Sequence, residues 1–298
     1  MDIPRADLVV TAELAGRLVA EQFPELAGPV RLVAQGWDNA LFRLGDALSI
    51  RMPRREAAAH LIEHEQRFLP ELQRLVGLPL PVPVAAGRPA EGYAFAWSVV
   101  PWVDGISGAH ATPAKRDAYA PKLAEFFAAV HVPAAPDAPH NPVRGVPLTT
   151  RTKAVEQRLT GLAGRLAPGE AEELRALWRA GVEASVYAGA PVWLHGDPHP
   201  GNVVLADDGT RLAAVIDFGD LTAGDPATDL SAAWLHFGPE GRRAFRSRYA
   251  ELRTVDEDTW ARARAWAVSI GSAALAASDG SGAMATMGRA ALDQLLDG

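Results

Sequence analysis

Residues 194–202, LHGDPHPGN, hold two histidines, an aspartate and an asparagine, and Asp217 follows in VIDFGD. Two chemistries suit such a set. His195, Asp197 and His199 alternate, as metal ligands can on a short loop. Catalytic zinc usually takes three protein ligands in a tetrahedral arrangement, however, and His64, His131, His140 and His236 are scattered along the chain. Phosphoryl transfer asks for something else. A carboxylate must meet the acceptor hydroxyl, while an amide oxygen and a second carboxylate hold hard metal ions against the phosphates. Asp197, Asn202 and Asp217 supply these groups in order: Asp197 as the catalytic carboxylate, Asn202 and Asp217 as magnesium ligands.

Short strands position them. PVWLHG, NVVLAD and RLAAVIDFG read as β segments, and the turn DDGT (207–210) between the last two returns Asp217 towards Asn202. Upstream, 11–23 has helical spacing with Thr11 as N-cap. Strands are expected at 30–35, 40–45 and 47–52, joined at GWDN and GD. A long amphipathic helix follows Pro53, then strands in VPVAAG and AFAWSVV. Residues 113–132 and 150–185 are helical in pattern around a proline-rich loop at 132–147, and Ala-rich helices follow Pro226. DPATDL starts one of them, with Asp225 as N-cap. Trp97, Trp102, Trp193 and Trp234 are expected in the core, and Arg54 and Arg55 as solvated residues at a helix start. The fold class is α+β: a five-stranded antiparallel sheet lobe with one main helix over 1–101, a connector at about 100–105, and a mostly helical lobe over 102–298.

Composition excludes several functions. There is no cysteine among the 298 residues, so disulfides, thiolate catalysis and cysteine-ligated zinc are ruled out. A net charge of −7 argues against nucleic-acid binding and is compatible with a cationic, hydroxyl-bearing acceptor. No apolar run is long enough to cross a membrane, and MDIPRADLVV lacks the pattern of a secretion signal. A cytoplasmic location is the simplest expectation. Lysine occurs only at 115, 122 and 153.

HGDPHPGN followed by VIDFGD and GDPATDL closely resembles the aminoglycoside phosphotransferase family, small-molecule kinases related to the protein kinases, over nearly the whole chain. HGD stands where protein kinases carry HRD, and IDFGD where they carry DFG. The resemblance implies a bilobal protein-kinase-like fold, ATP or GTP as phosphate donor, Mg2+, and a small-molecule acceptor: an aminoglycoside, another antibiotic, or a choline- or homoserine-like metabolite. It also implies a phosphate-binding cation on the third strand. Arg51 stands there in place of lysine, on the same sheet face as Ser49, and arginine can grip phosphate bidentately. Its helix partner is Glu65, with Glu63 as second choice. Pro101 and Val103 would read the base through a carbonyl and an N–H, and QGWDNA would cover the phosphates, with Trp37 and Asn39 nearby. By the same resemblance Asp229 braces the catalytic loop and His195 is scaffolding, and His199 reads as a surface or loop residue. The absent strand lysine keeps a non-catalytic nucleotide-binding pseudokinase as the alternative.

Overall fold

A computed structural model describes residues 5–206, 209–277 and 282–297. The chain divides into two compact units. One runs to Asp104 and includes Val215–Gly219; the other comprises Gly105–Ala214 and the chain from Asp220 onward.

In the first unit, α1 (Ala12–Gln22), capped by the Thr11 hydroxyl, precedes β1 (Val30–Gln35), β2 (Asn39–Leu44) and β3 (Leu48–Pro53). Then come α2 (Glu56–Leu72), β4 (Ala85–Gly87) and β5 (Trp97–Pro101). The five strands form one antiparallel sheet in the order β1-β2-β3-β5-β4. Its core follows from the alternation in β2, which buries Ala40, Phe42 and Leu44 on one face. Ile50, Met52, Trp97 and Val99 pack with them against Ala15, Leu18 and Val19 of α1. The strand expected at 82–87 shortens to β4, because Pro81 and Pro83 have no N–H to offer a ladder. α2 turns Ala58, Ile62, Phe68, Leu69 and Leu72 inward, and Glu65 shares that buried stripe.

The second unit begins with the two-residue β6 (Ile106–Ser107), followed by α3 (Pro113–Asp117), α4 (Ala120–Val130), α5 (Thr152–Gly161) and α6 (Glu170–Glu183). β7 (Val192–Leu194), β8 (Val203–Ala206), β9 (Arg211–Val215) and β10 (Thr222–Gly224) carry the sequence around LHGDPHPGN. They form two small sheets, β6-β8-β9 and the antiparallel pair β7-β10. The turn expected at DDGT includes Asp207 and Asp208, which lie outside the described residues. α7 (Ala227–Leu230), α8 (Ala232–His236), α9 (Pro239–Leu252), α10 (Glu257–Ala276) and α11 (Gly282–Leu296) complete the chain. α10 is buried along most of its length and is the spine of the unit, capped by Asp256 as the run VDEDTW suggests.

Trp97, Trp193 and Trp234 are core residues. Trp102 is not: it is only partly buried, carries the Arg43 guanidinium on its ring at 4.2 Å, and donates its indole N–H to Asp104.

Candidate active site

The catalytic loop is built on β7 and β10. Pairing of Leu194 with Thr222 brings Asp220 beside Gly196. Gly196 has φ +87°, and an added Cβ there would strike the Asp220 carbonyl, so this position admits only glycine without rearrangement. The buried carboxylate of Asp229 accepts the main-chain N–H groups of His195 at 2.8 Å and Gly196 at 2.9 Å. His131 Nε2 lies 3.2 Å from the same carboxylate, and its Nδ1 meets the Tyr249 hydroxyl at 2.8 Å. From the other side, His236 Nε2 meets the Pro198 carbonyl at 3.1 Å and its Nδ1 meets Tyr119. A carbonyl can only accept, so Nε2 carries the proton; burial holds this ring well below the ordinary histidine pKa, and it is neutral. The N-cap of α7 is Pro226, one residue after the expected Asp225, which accepts the Ala227 N–H and pairs with Arg262 at 2.7 Å.

Asp197 is gripped at both oxygens. Arg144 Nη2 donates to Oδ1 at 3.2 Å; His199 Nε2 stands 3.2 Å from Oδ2. Asn202 Nδ2 donates to the Asp197 carbonyl at 2.9 Å and to Oδ2 at 3.3 Å. Burial works to raise the Asp197 pKa, but the His199 ring, the Arg144 guanidinium and the His195 ring outweigh it and hold the carboxyl well below its usual range. His199 is a loop residue, as expected, but a partly buried one that partners Asp197; its Nδ1 accepts the Gly201 N–H, which fixes the ring. His195 accepts the Asp197 N–H at Nδ1. In the alternating His–Asp–His, both histidines contact Asp197, one at its N–H and one at its carboxylate.

Arg144 was not legible as a site residue. It lies far upstream in the proline-rich loop, held by the Asn141 side chain, which accepts the N–H groups of Val143 and Arg144 and donates to Asp220 at 2.6 Å.

In the other unit Arg51 sits on β3 opposite Ser98 of β5. Its Nη1 lies 2.9 Å from Glu65 Oε2 on α2, and its Nη2 donates to Asp217 Oδ1 at 3.1 Å. Arg51 and Glu65 thus form a buried ion pair. Burial works against the Arg51 charge, but Glu65 and Asp217 more than offset it and hold its pKa above the ordinary value. Burial raises Glu65 to about 7, Arg51 pulling it down and Asp217 adding to the rise. Because this folded value lies above the ordinary 4.5, the contribution of Glu65 to stability is fullest below 4.5 and is lost as pH rises through about 7. Glu65→Gln is expected to flatten that fall, read as a shallower dependence of the urea midpoint on pH; an unchanged slope would place the titration elsewhere.

Asp217 adopts φ +61°, and its side chain is 55% exposed. Its Oδ2, like Asn202 Oδ1, has no hydrogen-bond partner among the described residues. Both are hard oxygen donors of the kind magnesium takes. Val103 N–H also has no main-chain partner among the described residues, while the neighbouring Trp102 N–H is used by Ala47 O. Pro101 ends β5, exposed, opposite Leu48. At the β1–β2 turn the Gly36 N–H is consumed by the Asn39 carbonyl at 2.8 Å and is not available to a phosphate. Arg54 and Arg55 are not merely solvated: they bond the Gly36 and Trp37 carbonyls, and Arg55 also pairs with Asp38. Trp37 is 46% exposed, and Asn39 keeps a buried Oδ1 without a partner among the described residues.

A family model described as "Phosphotransferase enzyme family" matches residues 29–266. No curated protein sequence matches. Among solved structures, the chain is similar to a GDP complex of wild-type aminoglycoside 2'-phosphotransferase-IIIa, with 19% identity, 97% of this chain and 99% of that chain covered, and a TM-score of 0.68. It is also similar to macrolide 2'-phosphotransferase MphH from Brachybacterium faecium, with 21% identity, 94% and 98% coverage, and a TM-score of 0.62. A streptomycin–ATP ternary complex of APH(2")-IIa aligns at 18% identity over 98% of this chain and 97% of that chain, with a TM-score of 0.58.

Proposed function

The chain belongs to the phosphotransferase enzyme family, and from that premise we propose that it moves the γ-phosphate of ATP or GTP to a hydroxyl of a small molecule, with antibiotics as the first class of acceptor to test. The observation that carries this reading is Asp197, clamped at both oxygens beside an Asn202 whose Oδ1 has no hydrogen-bond partner among the described residues. Antibiotics come first because the similar structures include aminoglycoside and macrolide phosphotransferases, one in complex with streptomycin and ATP.

Asp197 orients the acceptor hydroxyl. The hydroxyl oxygen forms the new bond to the γ-phosphorus as the bond to the bridging oxygen breaks, and the nucleoside diphosphate leaves. Asp197, held by its cationic neighbours, takes the hydroxyl proton late, as the P–O bond breaks. That timing agrees with the loose transition state of phosphoryl transfer. Arg51, positioned by Glu65, neutralises the phosphates from its unit. Asn202 and Asp217 would hold magnesium, which supplies charge neutralisation on the phosphate oxygens. Alignment and preorganised charge provide the acceleration.

The purified protein, given Mg2+ with ATP or GTP, should add 80 Da, the mass of one phosphoryl group, to a member of a hydroxylated antibiotic and metabolite panel. Absence of any adduct with both nucleotides would refute the reading. Asp217→Asn should weaken magnesium–nucleotide affinity by at least about tenfold, the loss that even outer partners of a metal cause. Calorimetry with and without Mg2+ checks this, since metal-free nucleotide binding should change far less.

A further inference from the structure

Several partly buried arginines of the second unit pair with carboxylates: Arg262 with Asp225, Arg175 with Glu156, Arg289 with Glu170. Three others lie close together in the sequence. Arg144, Arg151 and Arg158 recur at seven-residue intervals, and the last two stand two turns apart on one side of the helix that becomes α5. Arg144 reaches Asp197, with Asp220 at 4.0 Å. Arg151 makes no ion pair among the described residues, and Arg158 has only the Ser269 hydroxyl of α10 at 3.0 Å. In each of the three, the Nε–H is buried without a hydrogen-bond partner among the described residues. Burial, then the neighbouring Arg151 and Arg144, hold Arg158 down at about 10; burial and Arg144 lower Arg151. The cations are thus close enough to repel one another. Buried, unpaired donors of one charge are costly to keep, and an arriving oxyanion would relieve both the repulsion and the missing bonds.

We propose that Arg144, Arg151 and Arg158 form an oxyanion-recognition face beside Asp197, so that the acceptor carries a carboxylate or phosphate as well as the hydroxyl that is phosphorylated. This rests on the phosphotransferase reading for its use in catalysis, but the face is a property of the three side chains. It also reverses the expectation drawn from net charge: the chain as a whole is negative, while the ground next to the catalytic carboxylate is cationic. The segment between Arg144 and Arg151 leaves room nearby. Gly145, Leu148 and Thr149 wall a cavity of about 200 Å³, in which Arg262 is already neutralised by Asp225.

Two measurements test the proposal. Calorimetric titration with sulfate, without nucleotide, should show a site in the wild-type protein that Arg151→Gln or Arg158→Gln weakens at least tenfold. Arg151 makes no ion pair among the described residues, so its variant should keep the wild-type unfolding midpoint. In the transfer assay, hydroxy acids and sugar phosphates form two arms, with amine-bearing aminoglycosides as the third. Preference for either anionic arm, with an acceptor KM at least tenfold higher in Arg151→Gln and kcat little changed, supports the face; the favoured arm tells carboxylate from phosphate. Sulfate affinity unchanged in both variants overturns it, whatever the acceptor screen finds. So does turnover confined to the aminoglycoside arm with the same KM in Arg151→Glu. A sulfate site lost in the variants, together with no transfer to any arm, supports the face and counts against phosphoryl transfer.

Discussion

Asp197→Asn is expected to lower the rate of phosphoryl transfer by about a thousandfold, within the range that positioned proton acceptors contribute, and to leave nucleotide affinity nearly unchanged. The amide has the size of the carboxylate and can still bond His199 or Asn202. What it loses is the charge that orients the acceptor hydroxyl and finally takes its proton. Nucleotide affinity should survive because Arg51, Glu65 and Asp217 form a cluster of their own, in the other unit. Steady-state transfer and calorimetry with magnesium and nucleotide read the two effects separately. A variant with near-normal turnover would remove Asp197 from the mechanism; one that fails to bind nucleotide would mean that the residue is structural.

The largest expected loss of stability is at Asp229. Its carboxylate is fully buried and satisfies two main-chain N–H groups and the His131 ring at once. Asp229→Ala leaves all three without an acceptor in a dry site, which should cost about 3–5 kcal/mol, as when one member of a buried charged network is removed. The loss should appear as a lower urea midpoint at unchanged slope. Asp229→Asn, which keeps one acceptor oxygen, should lose roughly half as much. Because the two amides belong to His195 and Gly196, adjacent to Asp197, turnover should fall further than the folded fraction does. A loss under about 1 kcal/mol, the worth of one ordinary hydrogen bond, would show that other contacts hold the loop.

Much of this was legible in the sequence for a definite reason. Asp197 and Asn202 lie in one short stretch, where the Asn202 amide donates to the Asp197 carbonyl, and Asp217 follows in the same run of sequence. Glu65 falls on the apolar stripe of α2, where a carboxylate needs a cation, and Arg51 is a cation on the neighbouring strand. The misreadings have physical causes too. Arg144 approaches Asp197 through a proline-rich loop that carries no periodicity. His199 is the loop residue it looks like, and its contact with Asp197 shows only once the Gly201 N–H is seen to fix its ring. Arg54 and Arg55 read as an exposed helix start because most of their partners are carbonyls, which every residue has; the exception is Asp38, which pairs with Arg55. β6 and β10 are too short for alternation to show, yet β10 is what sets Asp220 against Gly196.

Arginine at position 51 also decides how this protein responds to chemical labelling. Reagents that tag nucleotide sites by acylating a strand lysine rely on an amine that can shed its proton and attack. A guanidinium whose pKa is held above its ordinary value does neither. No lysine precedes Lys115, and the chain has no cysteine, so the unit carrying Arg51 offers no substitute nucleophile of either kind. Surveys that find kinases by covalent capture at that lysine would pass over this one, however tightly it holds its nucleotide.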